Sequence, residues 1–304
     1  MSQNTLEFDV FIQYEKLKYT LGLLSIVRKG MKTKTAKVKA PAKRKLSEPK
    51  LSSLENLTAK HFIERLKAHT SAVELEKIQR YFKSGEGEYG EGDIFMGIRM
   101  GTLFKISEKF IDMAPTEIEK LLEDPVHEIR AGAVSIMNKK ARSNKTTEER
   151  RKELYNLYLE RHDCINNWDL VDLGAAYVVG RHLFDKPRKI LYQLARSKNI
   201  WERRTAIVST SYFLTKKQVE DTFNIAELLI DDEHDLIHKA AGGWIRQAGK
   251  TNRKKLLEFL DKHAQTMPRT FLQFAIEHLD EKKRTFYMSL KDKASLAGKK
   301  IKTS

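Results

Sequence analysis

The sequence predicts an all-α protein, and three observations support this fold class. Apolar residues recur at the spacing of an amphipathic helix along most of the chain. No segment shows the sustained apolar–polar alternation that is typical of a half-buried strand. Three segments also resemble one another in sequence, which is typical of a helical repeat protein. Hydrophobic residues make up 40% of the 304 residues, enough to bury a substantial core.

The chain is predicted to begin with an extension, residues 1–50. Residues 31–50 contain eight Lys/Arg and one acid and have no hydrophobic face, which predicts a disordered basic arm. Such an arm adds salt-sensitive affinity for phosphate backbones, but a solubilising tail is an equally good interpretation. For residues 1–30 two interpretations stay open: a short amphipathic element, or an upstream extension of a chain that starts at Met31.

Residues 51–290 form the predicted folded domain. Its first two helical stripes contain Leu54, Leu57, Phe62, Ile63 and Leu66, and then Leu75, Ile78, Tyr81 and Phe82. A glycine-rich loop is predicted from Ser84 to Asp93, and helices from about Leu103 to Leu279. Residues 291–304, which contain five Lys and one Asp, are predicted to be a disordered basic tail.

The three similar segments are residues 121–133, 194–206 and 228–241. Each combines a turn, a basic residue and, three positions later, an alanine; the pairs are Arg130 and Ala133, Arg203 and Ala206, and His238 and Ala241. The pattern indicates HEAT-type helix pairs, in which the turn caps the second helix and the alanine lets neighbouring helices pack closely. The intervals fit repeats of roughly 35–45 residues with one divergent unit, which holds Trp168 and Asp172. Stacked pairs form a solenoid with a concave binding face.

The net charge of +16 and the pI of about 9.6 indicate a polyanionic partner. Nucleic acid is the first candidate, and an anionic membrane surface is the second. No apolar run approaches the roughly 18 residues of a membrane span, so we expect no membrane insertion. Cys164 is the only cysteine, which excludes an internal disulfide and favours a reducing compartment. We therefore expect a cytoplasmic, nucleoid-associated monomer.

Three local patterns suggest cofactor or metal sites but are better explained otherwise. Residues 85–90 read G-x-G-x-x-G, yet no strand precedes them and their glutamates would repel phosphate, so a flexible connection is the better interpretation. The acids of residues 231–235 lie at a predicted helix start, where they favour the helix dipole. The spacing of His162 and Cys164 is not that of a metal site. We expect no metal and no cofactor.

The stretch from Trp168 to Asp172 has the most informative chemistry. Four residues apart on a helix, Trp168 and Asp172 share one face. Taken alone, this pattern is more typical of a packed tryptophan and a solvated acid. A carboxylate on a basic, DNA-binding face repels phosphate, however, so its presence favours a site where a cation develops.

Seven stretches together support a family assignment: Tyr81–Gly85, Phe95–Arg99, Trp168–Asp172, Trp201–Val208, Asp235–Ala240, Met267–Thr270 and Ala275–Leu279. In their order and spacing they resemble the DNA alkylation repair family of HEAT-like-repeat DNA glycosylases, the AlkD type. The resemblance runs from about Leu54 to about Tyr287, most of the predicted folded domain.

The resemblance implies hydrolysis of the N-glycosidic bond of cationic N3- or N7-alkylated purines in duplex DNA, without a metal or a cofactor. Positive charge builds on the deoxyribose as the bond breaks, and a carboxylate there can stabilise it and orient the attacking water. By resemblance, Asp172 is this catalytic carboxylate. Trp168 and Tyr81 are aromatic residues that contact the DNA. Arg204 binds a phosphate near the lesion, with Trp201 on the same helix face.

The chain departs from the family at Gly243. The family reads Lys-Ala-x-Gly-Trp-x-x-Arg where this chain has residues 239–246, so Gly243 occupies the tryptophan position. Trp244 follows one residue later, about 100° around the helix, and returns to the face if the helix shifts. Trp244 and Arg246 complete the expected DNA-binding set. A milder departure is Met100-Gly101, where the family commonly has a proline.

Two alternatives to an active glycosylase stay open. Because Gly243 replaces a tryptophan, the protein is alternatively a duplex- or damaged-DNA-binding relative with weak catalysis. A HEAT-type scaffold whose basic face binds an acidic protein is the other alternative. Retention of Asp172 favours the glycosylase, because a simple backbone binder gains nothing from an acid at that position.

Overall fold

A computed structural model of the chain describes residues 56–82 and 91–290, and within these ranges the protein is all-helical, as predicted. The α-helices are α1 (Ala59–Lys67), α2 (Ala72–Phe82), α3 (Met100–Glu108), α4 (Pro115–Leu122), α5 (His127–Arg142), α6 (Glu148–Glu160), α7 (Trp168–Gly174), α8 (Lys189–Leu194), α9 (Ile200–Thr215), α10 (Glu220–Leu228), α11 (Asp235–Thr251), α12 (Arg253–His263) and α13 (Arg269–Ile276). A 3₁₀ turn covers His162–Cys164, and a π-helix, Ala175–Gly180, continues α7.

The ends of the helical region differ from the prediction. Helix α3 begins at Met100, a few residues before the predicted start near Leu103. Residues 281–290 are also helical, beyond the predicted end at Leu279, because the Asp280 carboxylate caps this segment by accepting the Lys283 N–H at 2.9 Å. The predictions for residues 1–50 and 291–304, and for most of the glycine-rich loop, lie outside the described residues.

The helices form two layers. Helices α3, α5, α7, α9, α11 and α13 pack each against the next, and the intervening helices α4, α6, α8, α10 and α12 lie alongside them. Members of the first layer begin at residues 100, 127, 168, 200, 235 and 269, so one repeat unit recurs along the chain. This arrangement is compatible with the predicted helical repeat solenoid. No helix within the described ranges is long and apolar enough to cross a membrane.

The basic residue of each similar segment closes the turn ahead of its helix. In all three segments it hydrogen-bonds carbonyl oxygens five or six residues back along the chain. The bonds are Arg130 Nη1 to Asp124 O (3.0 Å) and Pro125 O (2.8 Å), Arg203 Nη1 to Ser197 O and Lys198 O (3.0 Å each), and His238 Nε2 to Asp232 O. These bonds satisfy carbonyls that the turn leaves without helical partners. The repeated pattern is therefore a turn-closing device.

Helix α7 is the divergent unit that the repeat spacing predicted. Each basic residue lies three positions after its helix start, and in α7 that position is the apolar Val171. The alanines six positions after the helix starts are fully buried at 0% exposure, which confirms their packing role; they are Ala133, Ala206 and Ala241. The same position in α7 is Gly174, where a Cβ atom would lie 2.7 Å from the Tyr158 ring. Glycine at residue 174 thus allows α7 to approach the Tyr158 ring closely.

The segment before α5 is anchored by one carboxylate. Glu128 accepts the backbone N–H groups of Met96 (3.1 Å), Gly97 (2.8 Å) and Ile98 (3.2 Å). Gly97 has φ +79°, and a Cβ atom there would lie 2.4 Å from the Ser71 carbonyl oxygen, so only glycine fits. This anchor fixes the stretch that contains Asp93.

Candidate functional site

Asp172 and Arg204 form a two-point ion pair between α7 and α9. Arg204 Nε donates to Asp172 Oδ1 at 2.9 Å, and Arg204 Nη2 donates to Oδ2 at 2.8 Å. The third nitrogen, Nη1, donates to the Leu236 carbonyl oxygen at the start of α11 at 2.8 Å. The Arg204 side chain is 8% exposed, whereas the Asp172 side chain is 31% exposed. The guanidinium therefore holds the carboxylate from behind, and the carboxylate faces solvent.

This pairing changes the expected role of Arg204. A guanidinium has five N–H donors, and three of them are used within the protein. The other two donors, one on each terminal nitrogen, take no part in these three bonds. Arg204 is consequently both the partner of Asp172 and a candidate phosphate ligand.

Helix α7 begins at Trp168, so Trp168 and Asp172, four residues apart, lie on the same face of the helix. Asn167 is the capping residue, and its Oδ1 accepts the Trp168 N–H at 2.8 Å. Trp168 is 7% exposed and stacks on Phe82, with ring centroids 5.6 Å apart. Tyr81 meets Trp168 edge-on at 5.8 Å. The structure thus brings together Tyr81, Trp168 and Asp172, three of the predicted site residues.

Behind Trp168 lies a buried ionic network that the sequence analysis did not identify. His127 Nε2 lies 2.8 Å from Asp169 Oδ2, and His127 Nδ1 lies 3.5 Å from Asp93 Oδ2. Arg130 Nη2 donates to Asp93 Oδ1 at 2.5 Å, and Asn167 Nδ2 donates to Asp93 Oδ2 at 2.8 Å. The side chains of His127 and Asp169 are only 1% and 3% exposed. We name these five residues the His127 network.

The network favours the charged form of its histidine. Burial alone would lower the pKa of His127, but the carboxylates of Asp169 and Asp93 outweigh it and raise the pKa to about 9. Burial acts to raise the pKa of Asp93. The hydrogen bond and positive charge of His127, together with a hydrogen bond from Asn167, outweigh burial and hold this pKa below its ordinary value. At neutral pH the network therefore contains two anions and two cations.

A second buried group of hydrogen-bonded side chains lies near the ion pair. The Thr205 hydroxyl, next to Arg204 in sequence, lies 3.1 Å from the Tyr158 hydroxyl and 2.9 Å from His162 Nε2. Burial raises the pKa of Tyr158, and negative charge on Asp172 adds to this increase. Tyr158 is therefore a neutral hydrogen-bonding group behind Asp172.

The remaining predicted residues lie on α9 and α11. Trp201 is half-buried at the start of α9, where its backbone N–H donates to Asn199 Oδ1 at 2.8 Å. Trp244 is half-buried and packs against the hydrophobic core. Arg246 is paired with Glu277 and is 13% exposed, and burial lowers its pKa. Arg246 thus already has an internal partner, as Arg204 does.

The two adjacent glycines of α11 occupy different environments. A Cβ atom on Gly242 would lie 2.6 Å from the Phe271 carbonyl oxygen and 2.8 Å from Phe274 Cβ, so this glycine allows the close approach of α13. A Cβ atom on Gly243 would meet nothing closer than Arg246 Nη2 at 4.0 Å. Gly243 is therefore not required by packing, and the space beside it is open.

The arrangement can stabilise a cation through a fixed carboxylate. The described ranges contain no group of His, Cys, Asp and Glu side chains that could hold a metal ion. They do place a fixed, partly exposed carboxylate next to an aromatic cluster. Such a group can stabilise positive charge on a bound molecule or orient a water for attack.

Comparisons with known proteins report on the family and the fold of this chain. The family model for DNA alkylation repair enzymes matches residues 62–279. A solved structure described as a predicted DNA alkylation repair enzyme from Enterococcus faecalis superimposes with a TM-score of 0.56 at 17% sequence identity. The superposition covers 70% of this chain and 98% of that one, and it shows a shared fold. No curated protein matches the sequence significantly.

Proposed function

Because the chain belongs to the DNA alkylation repair enzyme family, we propose that it is a base-excision-repair DNA glycosylase acting on duplex DNA. The proposed reaction is hydrolysis of the N-glycosidic bond of cationic N3- or N7-alkylated purines, which leaves an abasic site. The observation that supports it best is the geometry of Asp172. Its carboxylate is 31% exposed and is fixed by two hydrogen bonds from Arg204.

The chemistry asks little of the protein beyond a fixed anion. Alkylation gives the purine a positive charge, so it leaves without a strong general acid. As the bond breaks, positive charge develops on the deoxyribose, as in glycoside hydrolysis. Asp172 stabilises this charge and orients the attacking water. The positive charge of Arg204 offsets part of the negative charge of Asp172. Its two hydrogen bonds also hold the carboxylate in one orientation, so the carboxylate need not reorient during the reaction.

Binding of the duplex is assigned to the basic and aromatic residues near Asp172. Arg204 is proposed to contact a phosphate, and the half-buried Tyr81 and Trp201 are proposed to provide aromatic surface for the sugar and backbone. Trp168 is only 7% exposed, so its proposed contact with the DNA is through its exposed edge beside Tyr81. Trp244 and Arg246 extend the proposed contact along α11. The net charge of +16 adds sequence-independent attraction for the phosphates, which salt weakens.

The test is a base-release assay on methylated duplex DNA with wild type and Asp172→Asn side by side. We expect wild type to release 7-methylguanine or 3-methyladenine, and Asp172→Asn to lose about 10²- to 10³-fold in rate. Asn keeps the shape and one acceptor for Arg204, so duplex affinity at matched salt should stay within a few fold. Equal rates in both proteins would reject the role of Asp172.

A second function is favoured by Gly243. Glycine replaces the family tryptophan there, and a Cβ atom at that position would meet only the Arg246 guanidinium, at 4.0 Å. A duplex- or damaged-DNA-binding protein with weak catalysis is the corresponding proposal. It predicts salt-dependent duplex binding without base release. A protein-interaction scaffold predicts neither.

A further inference from the structure

We propose that the His127 network is a positioning device for the Asp172 site, in which charged His127 fixes the first turn of α7. This inference rests on the proposed function, because it assigns the network a role in base release. It concerns residues that do not face the exposed carboxylate and that act through Trp168 and Asp172. His127 is accordingly a positioning residue.

The network joins three separate parts of the chain. His127 and Arg130 belong to α5, Asp169 belongs to α7, and Asp93 lies in the segment that Glu128 anchors. The contacting residues are 34 to 74 positions apart in sequence, yet their paired atoms lie 2.5 to 3.5 Å apart, as for Asn167 and Asp93 at 2.8 Å. Burial of four ionisable groups is costly unless each is paired, so the pairing constrains where all three parts lie.

Only the charged form of His127 satisfies both of its neighbours. In the imidazolium both ring nitrogens carry a proton, so Nε2 donates to Asp169, while the Nδ1 proton lies 3.5 Å from Asp93 Oδ2 as an ion pair and not as a hydrogen bond. In either neutral tautomer one nitrogen presents a lone pair to a carboxylate. Deprotonation therefore replaces an attraction with a repulsion at Asp169 or at Asp93. The geometry couples the proton on His127 to the position of these two acids.

Two paths lead from the network to the site. Asp169 precedes Asp172 by one helical turn, so both acids are fixed by the same short helix, which is only seven residues long. Asn167 donates to Asp93 and accepts the Trp168 N–H, each at 2.8 Å, which ties the start of α7 to the network. The His127 ring also packs on Phe82 at 4.8 Å, and Phe82 stacks on Trp168. A shift of His127 or Asp169 is thus transmitted to Trp168 and Asp172.

The charged and titratable groups around His127 are few. Asp169 faces it from α7, and Asp93 faces it from the 91–99 segment. Arg130, one turn along α5, pairs with Asp93. Glu128, the next residue, is occupied by the backbone N–H groups of residues 96–98. The neighbours from α2 and the 91–99 segment that complete the surroundings are the uncharged rings of Phe82 and Phe95.

The first experiment follows the proton directly, without activity. In full-length protein, an NMR pH titration records the His127 ring, the Trp168 indole N–H and the Arg204 Nε–H. We expect one shared midpoint near pH 9 for all three signals. Asp169→Asn should move that midpoint down by at least one pH unit, because it removes the largest attraction to the charged ring. A midpoint near 6.5 for His127, or Trp168 and Arg204 signals that do not follow it, would overturn the proposal.

The second experiment measures base release against pH. Wild type should lose kcat through the same midpoint, while duplex affinity changes little, because the site and not the DNA-binding surface is displaced. His127→Gln should have a kcat lower by about 10- to 100-fold and no loss between pH 7 and 9.5. His182→Gln is the matched control: it removes another buried histidine, which stacks on Tyr155, and should keep the wild-type profile.

The two proposals fail in different ways. Absence of base release in wild type, with shared NMR midpoints, rejects the glycosylase and retains the network as a device that sets the Asp172–Arg204 geometry. Base release that proceeds without the shared midpoints retains the glycosylase and rejects the network. A wild-type alkaline loss of kcat that persists in His127→Gln also rejects the network.

Discussion

Arg204 binds both oxygens of Asp172 from the next helix of the repeat, at 2.9 and 2.8 Å, although 32 residues separate them in sequence. Both residues lie four positions after the start of their helix, so the pair is a contact between equivalent positions of consecutive repeats. The regular stacking of α7 on α9 therefore sets the pairing distance. The geometry of Asp172 should therefore depend on the length and shape of the basic side chain at position 204.

Replacement of Arg204 by lysine tests this sensitivity. Lysine keeps the charge but cannot bind both carboxylate oxygens and the Leu236 carbonyl together. We expect the free energy of unfolding to fall by about 1–3 kcal/mol and base release to fall at least tenfold. Urea denaturation and the base-release assay measure the two effects.

Arg203→Lys is the matched control, because the structure offers a second two-point pair beside the first. Arg203 binds Asp232 through Nε at 2.5 Å and Nη2 at 3.3 Å, away from Asp172. This variant should lose comparable stability and keep base release. If Arg204→Lys and Arg203→Lys lowered base release equally, the effect would belong to general stability and not to the Asp172 clamp.

The sequence was sufficient for the helices and for the repeat, because both follow from local periodicity. The spacing of Arg130, Arg203 and His238 even reflects one specific bond, the closure of a turn five or six residues back. Trp168, Asp172 and Tyr81 were predicted as one site, and the structure places them together. Local patterns predict the repeat and the shared face of Trp168 and Asp172, because these groups lie within one repeat or recur in each. Tyr81 lies 87 residues before Trp168, so its place beside Trp168 was expected only from the family resemblance.

Long-range pairing was not predictable in the same way. Arg204 was expected to bind phosphate, and its bond to Asp172 depends on how two repeats stack. His127 was part of a turn motif, yet its partner Asp169 lies 42 residues away. No alternation or spacing in a single sequence distinguishes an acid that faces solvent from one that meets a buried histidine. The difference between Gly242 and Gly243 likewise depends on where α13 lies.

Alanine substitutions separate the two glycines. Gly243→Ala should raise the free energy of unfolding by up to about 1 kcal/mol, because alanine favours the helix and its Cβ atom meets only the Arg246 guanidinium, at an unstrained 4.0 Å. Gly242→Ala should lower it by about 1–3 kcal/mol, because α13 must move away from the new methyl group. Thermal or urea unfolding of the two variants measures the contrast, and changes of the same sign would contradict it.

Gly243→Trp tests whether a missing aromatic wall limits base release. Lys239 is the fifth residue of α11, as Asp172 is of α7 and Arg204 is of α9. Gly243 lies one turn beyond Lys239 on the same helix face. An indole at residue 243 therefore extends from the same face as the ion pair, and its Cβ atom fits without a clash. We expect higher base release or tighter binding to methylated duplex. Gly243→Ala serves as the control for helix stabilisation alone, and no gain over it would mean that the position no longer matters.

The stability of the fold should depend on pH through His127. Its pKa is raised from 6.5 to about 9 in the folded protein, so its stabilising contribution is complete below pH 6.5 and is lost as pH rises through 9. The loss is on the order of 3 kcal/mol at most. Burial lowers the pKa values of His162, His182 and His234, so these residues make the free energy of unfolding rise with pH in the acidic range. Wild type and variant are therefore compared only between pH 6.5 and 9.5. Urea unfolding of wild type and His127→Gln over this range isolates the contribution. The wild-type free energy of unfolding should fall towards that of the variant, and parallel curves would show that His127 does not carry the proton.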